Sequence, residues 1–250
     1  MKTSNRFTLL ELLCVICIIL ILASLLSPAF SRAKQVAKIA VCSSNQKQLH
    51  FGFSLFEKNA RRLPPGGNNY DEARNLPWRE NQDVSWDDRI AIYIGRDLTD
   101  SEYLANSVNK KSNADSLLRC PSDKDNDPVK LVRTYSVNAY GLWNSQSGAA
   151  SDYRIPSNFS TGIIGLMISR RSSEVATSGQ ALLLTEGFNA SPKFAGYSWY
   201  SALARDFDFA PYDYHNGKRV ALYLDGHSQI IPNSSLIPGT DSFLQNLSIR

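Results

Sequence analysis

Apolar residues are spread unevenly along the chain. Residues 1–6 are polar and include Lys2 and Arg6, whereas residues 7–30 hold one charged side chain, Glu11, in an otherwise apolar run. At about 1.5 Å of rise per residue that run reaches about 36 Å as a helix, enough to cross a hydrocarbon core. No second run of this kind occurs in the sequence. The pattern predicts one membrane-spanning helix over 7–30, with the bulk of the chain in a water-soluble domain behind it. Glu11 stands out, because a carboxylate in hydrocarbon costs roughly 2.5–3.5 kcal/mol and such residues are usually functional.

Helical spacing continues past the apolar run. Val36, Ile39, Ala40, Leu49, Phe53 and Phe56 recur at three- and four-residue steps among Lys34, Lys38 and Lys47, which predicts an amphipathic continuation over 31–60. Pro64-Pro65-Gly66-Gly67 ends it, and residues 61–250 form a separate globular domain. A short helix is expected over 87–93, and strand-like pieces follow at 129–137, 181–185, 220–224 and 228–231, bounded by Gly, Pro, Asn and Ser. Helix first and strands later is the α+β order: a long N-terminal helix, transmembrane then amphipathic, packed on a C-terminal antiparallel sheet with long loops. Asn216-Gly217 and Asp225-Gly226 are two-residue turn signals. The interval between them reads as one strand, with Val220, Leu222 and Leu224 on one side and Ala221 and Tyr223 on the other.

Charge and composition narrow the function. The net charge of +4 comes from 27 basic and 23 acidic residues with no basic stripe, so nucleic acid is not an expected partner. No nucleophile turn, phosphate-cradling loop or dinucleotide fingerprint is present, which argues against an enzyme. Asp206, Asp208, Asp213, His215, Asp225 and His227 crowd together near the C-terminus. They raise calcium as a minor possibility, but no Asp-x-Asp-x-Asp-Gly loop is present and no metal-ligand set or cofactor is assigned. His215 is read as closing the meander by hydrogen bonding to a turn carboxylate or backbone. Cys14 and Cys17 read as small apolar residues of the spanning helix. Cys42 and Cys120 lie beyond it and are candidates for a disulfide worth about 4 kcal/mol in the chain-entropy model, a pairing the sequence leaves open.

Phe7-Thr8-Leu9-Leu10-Glu11 followed by an apolar run resembles the N-terminus of type IV prepilins and type II secretion pseudopilins. Two later stretches are similar to elements of a large subgroup of pilin-like proteins: Cys120-Pro121-Ser122-Asp123, and His215 followed after nine residues by Asp225-Gly226. The resemblance implies cleavage by a prepilin peptidase between Arg6 and Phe7, methylation of the new amino group, and a helix kink at Pro28. The family usually has Gly before the cut, where this chain has Arg6. It further implies that Glu11 meets the terminal amine of a neighbouring subunit during assembly into a pseudopilus or pilus-like filament. The partners are then the peptidase, other pilin or pseudopilin subunits and the membrane. The implied location is the bacterial inner membrane, N-terminus cytoplasmic and globular domain outside. Charge counting does not favour that orientation, since Arg32, Lys34 and Lys38 follow the span. The competing reading is a singly anchored envelope protein whose domain binds polysaccharide or protein through Trp78, Trp86, Trp143 and Trp199.

Overall fold

A computed structural model describes residues 8–64, 67–68, 84–103, 109–110, 113–124, 127–137, 171–175, 178–187 and 214–233. The first element is a single helix, α1 (Leu9–Ala60), with Pro28 inside it. Proline has no N–H, so the carbonyl of Ser24 lacks its usual helical donor at that point. The chain divides into two compact units, Met1–Ala40 and Val41–Arg250. The second begins at Val41, not at residue 61, because the last third of α1 is built into the sheet domain.

Within the first unit the apolar side chains of α1 are exposed, from Leu9 at 85% to Leu25 at 71% and Phe30 at 70%. The helix is long and apolar enough to cross a membrane once.

In the second unit α1 buries Cys42, Asn45, Gln46, Leu49, Gly52, Phe53 and Phe56, a stripe at three- and four-residue spacing. A four-stranded antiparallel sheet has the order β3-β4-β5-β6, formed by β3 (Tyr135–Val137), β4 (Leu182–Glu186), β5 (Lys218–Tyr223) and β6 (Ser228–Pro232). The α+β class read from the sequence is the observed one. A separate two-stranded pair joins β1 (Gly67–Asn68) to β2 (Val84–Ser85). Apart from Lys218, every residue of β5 is buried, because the strand lies between two others and beneath α1. The turn before it has positive φ at Asn216 (54°) and Gly217 (78°), the geometry that favours Asn-Gly there. β3 is shorter than the expected 129–137. The Asp127 carboxylate accepts from the backbone N–H of Val129 (2.9 Å) and of Lys130 (2.6 Å), which holds that stretch in a turn.

A second buried group lies under α2 (Trp86–Arg89), the start of the helix expected over 87–93; the continuation, Ala91–Ile94, is a 3-10 turn. Gly52 makes room for it, since a Cβ there would come 2.8 Å from Cγ2 of Ile94. Trp86 is fully buried, stacked on Phe53 with ring centroids 5.3 Å apart and with the Arg133 guanidinium 5.5 Å from its own centroid. That placement removes Trp86 from the exposed aromatic surface of the envelope-binding reading; Trp78, Trp143 and Trp199 lie outside the described residues. Asp87 pairs with Arg133 and, at 3.7 Å, with Arg96. Burial, with the charge of Asp87 adding to it, pushes the neighbouring Asp88 carboxyl up to about 8.

Candidate functional site

Two places in the molecule hold the residues singled out by sequence. The first is the start of α1. Arg6 and Phe7, the cleavage and methylation residues, lie outside the described residues. Glu11 is described, and its Oε2 accepts 2.8 Å hydrogen bonds from both the backbone N–H and the hydroxyl of Thr8. The Glu11 N–H in turn donates to Thr8 Oγ1 at 3.3 Å. This is a capping box: Thr8 precedes the first helical residue, and Glu11 sits at the third helical position. It satisfies helix donors that have no intrahelical partner. The Thr-x-x-Glu spacing was in the sequence, and reading Glu11 only as a charge in an apolar run passes over it.

The second place is the junction between α1 and the sheet, and it gathers residues far apart in sequence. Cys42 and Cys120 form a disulfide with Cα atoms 5.3 Å apart, a usual separation. Asn45 Nδ2 donates to the carbonyls of Ser116 (3.1 Å) and Arg119 (3.2 Å), holding the segment that leads into Cys120. One residue on, Gln46 Nε2 donates to the Val220 carbonyl of β5 at 2.9 Å. A turn later, His50 Nε2 lies 2.9 Å from the Leu224 carbonyl at the end of that strand. Ser43 and Ser228 hydroxyls, 2.7 Å apart, add a link to β6. Four polar side chains of one helix thus bind the segment leading into the Cys-Pro-Ser-Asp turn on one side and the final hairpin on the other.

His215 takes part in this junction and not in its own turn. Its Nε2 lies 3.3 Å from Cys120 Sγ and 3.3 Å from Glu186 Oε1, and its Nδ1 lies 3.2 Å from the Ser122 hydroxyl. The expectation that His215 closes the meander therefore gives way to a contact across the core. The Asp225-Gly226 turn is held instead by His50 and His227. The Asp225 carboxylate accepts from the His227 N–H (3.0 Å) and contacts His227 Nδ1 at 2.6 Å. Burial acts to raise the Asp225 pKa, but these His227 contacts outweigh it and hold the carboxyl below its ordinary value. Gly226 has φ 89°, and a Cβ there would meet the His50 ring at 2.9 Å, so both conformation and space require glycine. The His-x9-Asp-Gly motif is thus structural at both ends: the histidine touches the disulfide and the glycine lets α1 approach the hairpin.

Sequence reasoning missed Glu186. It is fully buried at the end of β4, its Oε2 accepts from the Val220 N–H at 2.8 Å, and its Oε1 accepts no hydrogen bond among the described residues. Burial, then the nearby Glu186 charge, holds the Tyr135 hydroxyl well above its usual pKa. An acid closing the apolar run Leu182-Leu183-Leu184 was the available signal. Of the acidic and histidine crowd near the C-terminus, Asp206, Asp208 and Asp213 lie outside the described residues. His215 faces the disulfide while Asp225 and His227 pair with each other, so the described members do not converge on one point. No known family model, curated protein or solved structure matches the chain.

Proposed function

We propose that the chain is a pilin-like filament subunit of the bacterial inner membrane. In this reading a prepilin peptidase cuts between Arg6 and Phe7, Phe7 is methylated, and residues 7–30 hold the chain in the membrane until assembly. The globular domain then lies outside, and α1 packs against the helices of other subunits in a type II secretion pseudopilus or type IV pilus-like filament. The role is mechanical, with no catalytic residue.

The observation that carries this reading is the exposed apolar stretch of α1 with an acid at its start. Apolar surface of that extent needs lipid or other helices around it. An acid at its membrane end favours a neighbour that brings a cation. The capping box supplies a competing reason for Glu11, and the two reasons ask for different chemistry. Capping needs only an acceptor, so glutamine serves as well as glutamate. Pairing with a terminal amine needs the charge.

Glu11→Gln therefore separates them. We expect membrane insertion to stay at the wild-type level while incorporation into filaments falls by at least about tenfold, the loss of about 1.4 kcal/mol or more of subunit pairing. The measurement is the amount of variant in sheared filaments against the amount in membranes, with intact mass confirming loss of residues 1–6 and gain of one methyl. Normal incorporation of the glutamine variant would leave capping as the whole role of Glu11 and remove the assembly argument.

A further inference from the structure

We propose that, once the Cys42–Cys120 bond is reduced, Cys42, Cys120, Glu186 and His215 bind a zinc-class divalent cation, so that disulfide and metal are alternative closures of one buried junction.

All four residues are buried, and one donor atom from each lies within 4.8 Å of the others. A tetrahedral zinc ion, with bonds of about 2.0–2.3 Å to nitrogen, oxygen and sulfur, sets its donor atoms about 3.3–3.8 Å apart. His215 Nε2 already stands 3.3 Å from Cys120 Sγ and 3.3 Å from Glu186 Oε1. What remains is for the two sulfurs to separate, which cleavage of their bond allows by side-chain rotation.

The surroundings hold the donors as a metal site requires. When His215 Nδ1–H donates to the Ser122 hydroxyl, 3.2 Å away, the Nε2 lone pair is left facing the other donors. Glu186 is fixed through Oε2 by the Val220 N–H, while Oε1, fully buried, accepts no hydrogen bond among the described residues and faces His215 Nε2. A buried carboxylate oxygen without a donor is costly, and a cation satisfies it. Cys120 is held by its N–H to the Thr134 hydroxyl at 3.0 Å and by the Ser122 N–H on its sulfur at 3.4 Å. Cys42 is carried by α1 and Glu186 by β4.

The donor set chooses the metal. Two sulfurs and an imidazole favour zinc over calcium or magnesium, which take oxygen. Four protein ligands fill the tetrahedron, so the site is a structural one with no open position for a reacting water. The positions 42, 120, 186 and 215 follow no metal-binding spacing, which is why the sequence does not reveal them.

The exchange balances. A dithiol delivers two electrons and two protons to the Cys42–Cys120 bond, yielding two thiols and its own cyclic disulfide. The divalent cation then displaces the two thiol protons to solvent, and the thiolates, the carboxylate and the imidazole bind it. Reoxidation by a disulfide acceptor expels the metal.

Cobalt(II) is the probe. Full-length protein in detergent micelles, reduced with a non-thiol phosphine, is titrated with cobalt and followed by the thiolate-to-cobalt charge-transfer absorption and the intense d–d bands of a tetrahedral ion. The expected result is stoichiometric binding by the reduced chain, displacement by zinc, and no such absorption from the oxidised chain. His215→Ala and Glu186→Gln are each expected to weaken binding by at least about tenfold; the glutamine keeps an acceptor for Val220 and so guards against simple misfolding. Circular dichroism of the same samples covers the case in which reduction loosens the fold, where added zinc is expected to restore it. Reduced protein that binds no cobalt, binding unchanged by both substitutions, or a loosened fold that zinc does not restore would each overturn the proposal.

Discussion

Between Leu9 and Ala40, α1 carries Leu, Ile and Val side chains that stand open, whereas beyond Val41 it carries Asn45 and Gln46 at 7% and 0% exposure. The ordinary relation of hydropathy to burial is reversed along one helix. Among the described residues the apolar stretch stays open, and apolar surface of that extent calls for lipid or other helices around it. The later stretch is held by directional contacts: Asn45 and Gln46 each donate to backbone carbonyls, beside the apolar stripe of Leu49, Phe53 and Phe56. A buried hydrogen bond adds only about 1 kcal/mol net, but leaving one of its partners unmet costs about 1–3 kcal/mol. These amides therefore specify where the helix meets the sheet more than they strengthen the contact.

The sharpest way to break this comparison is to charge the first stretch. Ile18→Lys together with Leu22→Lys, both at exposed positions, is expected to cost about 5–7 kcal/mol of membrane insertion. Fractionation is expected to move the chain out of the membrane, while the urea midpoint of the sheet domain stays unchanged. Loss of the disulfide acts on the other stretch only. Cys120→Ser opens a bond between residues separated by 78 positions and is expected to destabilise the second unit by about 4 kcal/mol, read as a lower urea midpoint with membrane recovery unaffected. Gln46→Leu is milder. It keeps the apolar stripe and removes one of two side-chain donors to the Val220 carbonyl, the Thr185 hydroxyl still donating at 2.9 Å, for an expected loss of about 1 kcal/mol by the same assay.

The finest test reads a slope. The folded chain holds the Asp88 proton up to about pH 8, against an ordinary carboxyl value of 3.8, so the folded state binds more protons than the unfolded one between those values. Stability from this group is fully present below the lower value and is lost as pH rises through the upper. Asp88→Asn keeps an acceptor for the Ser85 N–H and removes the titration. Urea midpoints measured from about pH 5 to about pH 9 are expected to fall for the wild type more steeply than for the variant. Equal slopes would show that Asp88 is ionised in the folded state throughout.

Much of this architecture was legible because it rests on local patterns. The apolar run and its three- and four-residue continuation marked α1, and the turn pairs Asn216-Gly217 and Asp225-Gly226 bounded β5 on both sides. What was hidden depends on contacts between distant residues. Glu186 has no sequence neighbour that betrays its approach to His215, and the burial of Asn45 and Gln46 runs against the usual exposure of amides. The start of the compact sheet unit at Val41 was hidden for the same reason, since polar spacing does not tell which helix turns are covered. The Thr8-x-x-Glu11 box, by contrast, is local and legible in the sequence.

The position of the disulfide has a mechanical corollary. Cys42 lies two residues into the second unit, so tension applied along the apolar part of α1 enters the domain at a covalent bond. The load passes directly to Cys120, and everything from Ser43 to Arg119 is shunted out of its path. Pulling on the helix cannot peel it turn by turn from the sheet; only the stretch after Cys120 remains in series with the force. A chain pulled by its apolar stretch would keep the later part of the helix seated until that bond is reduced.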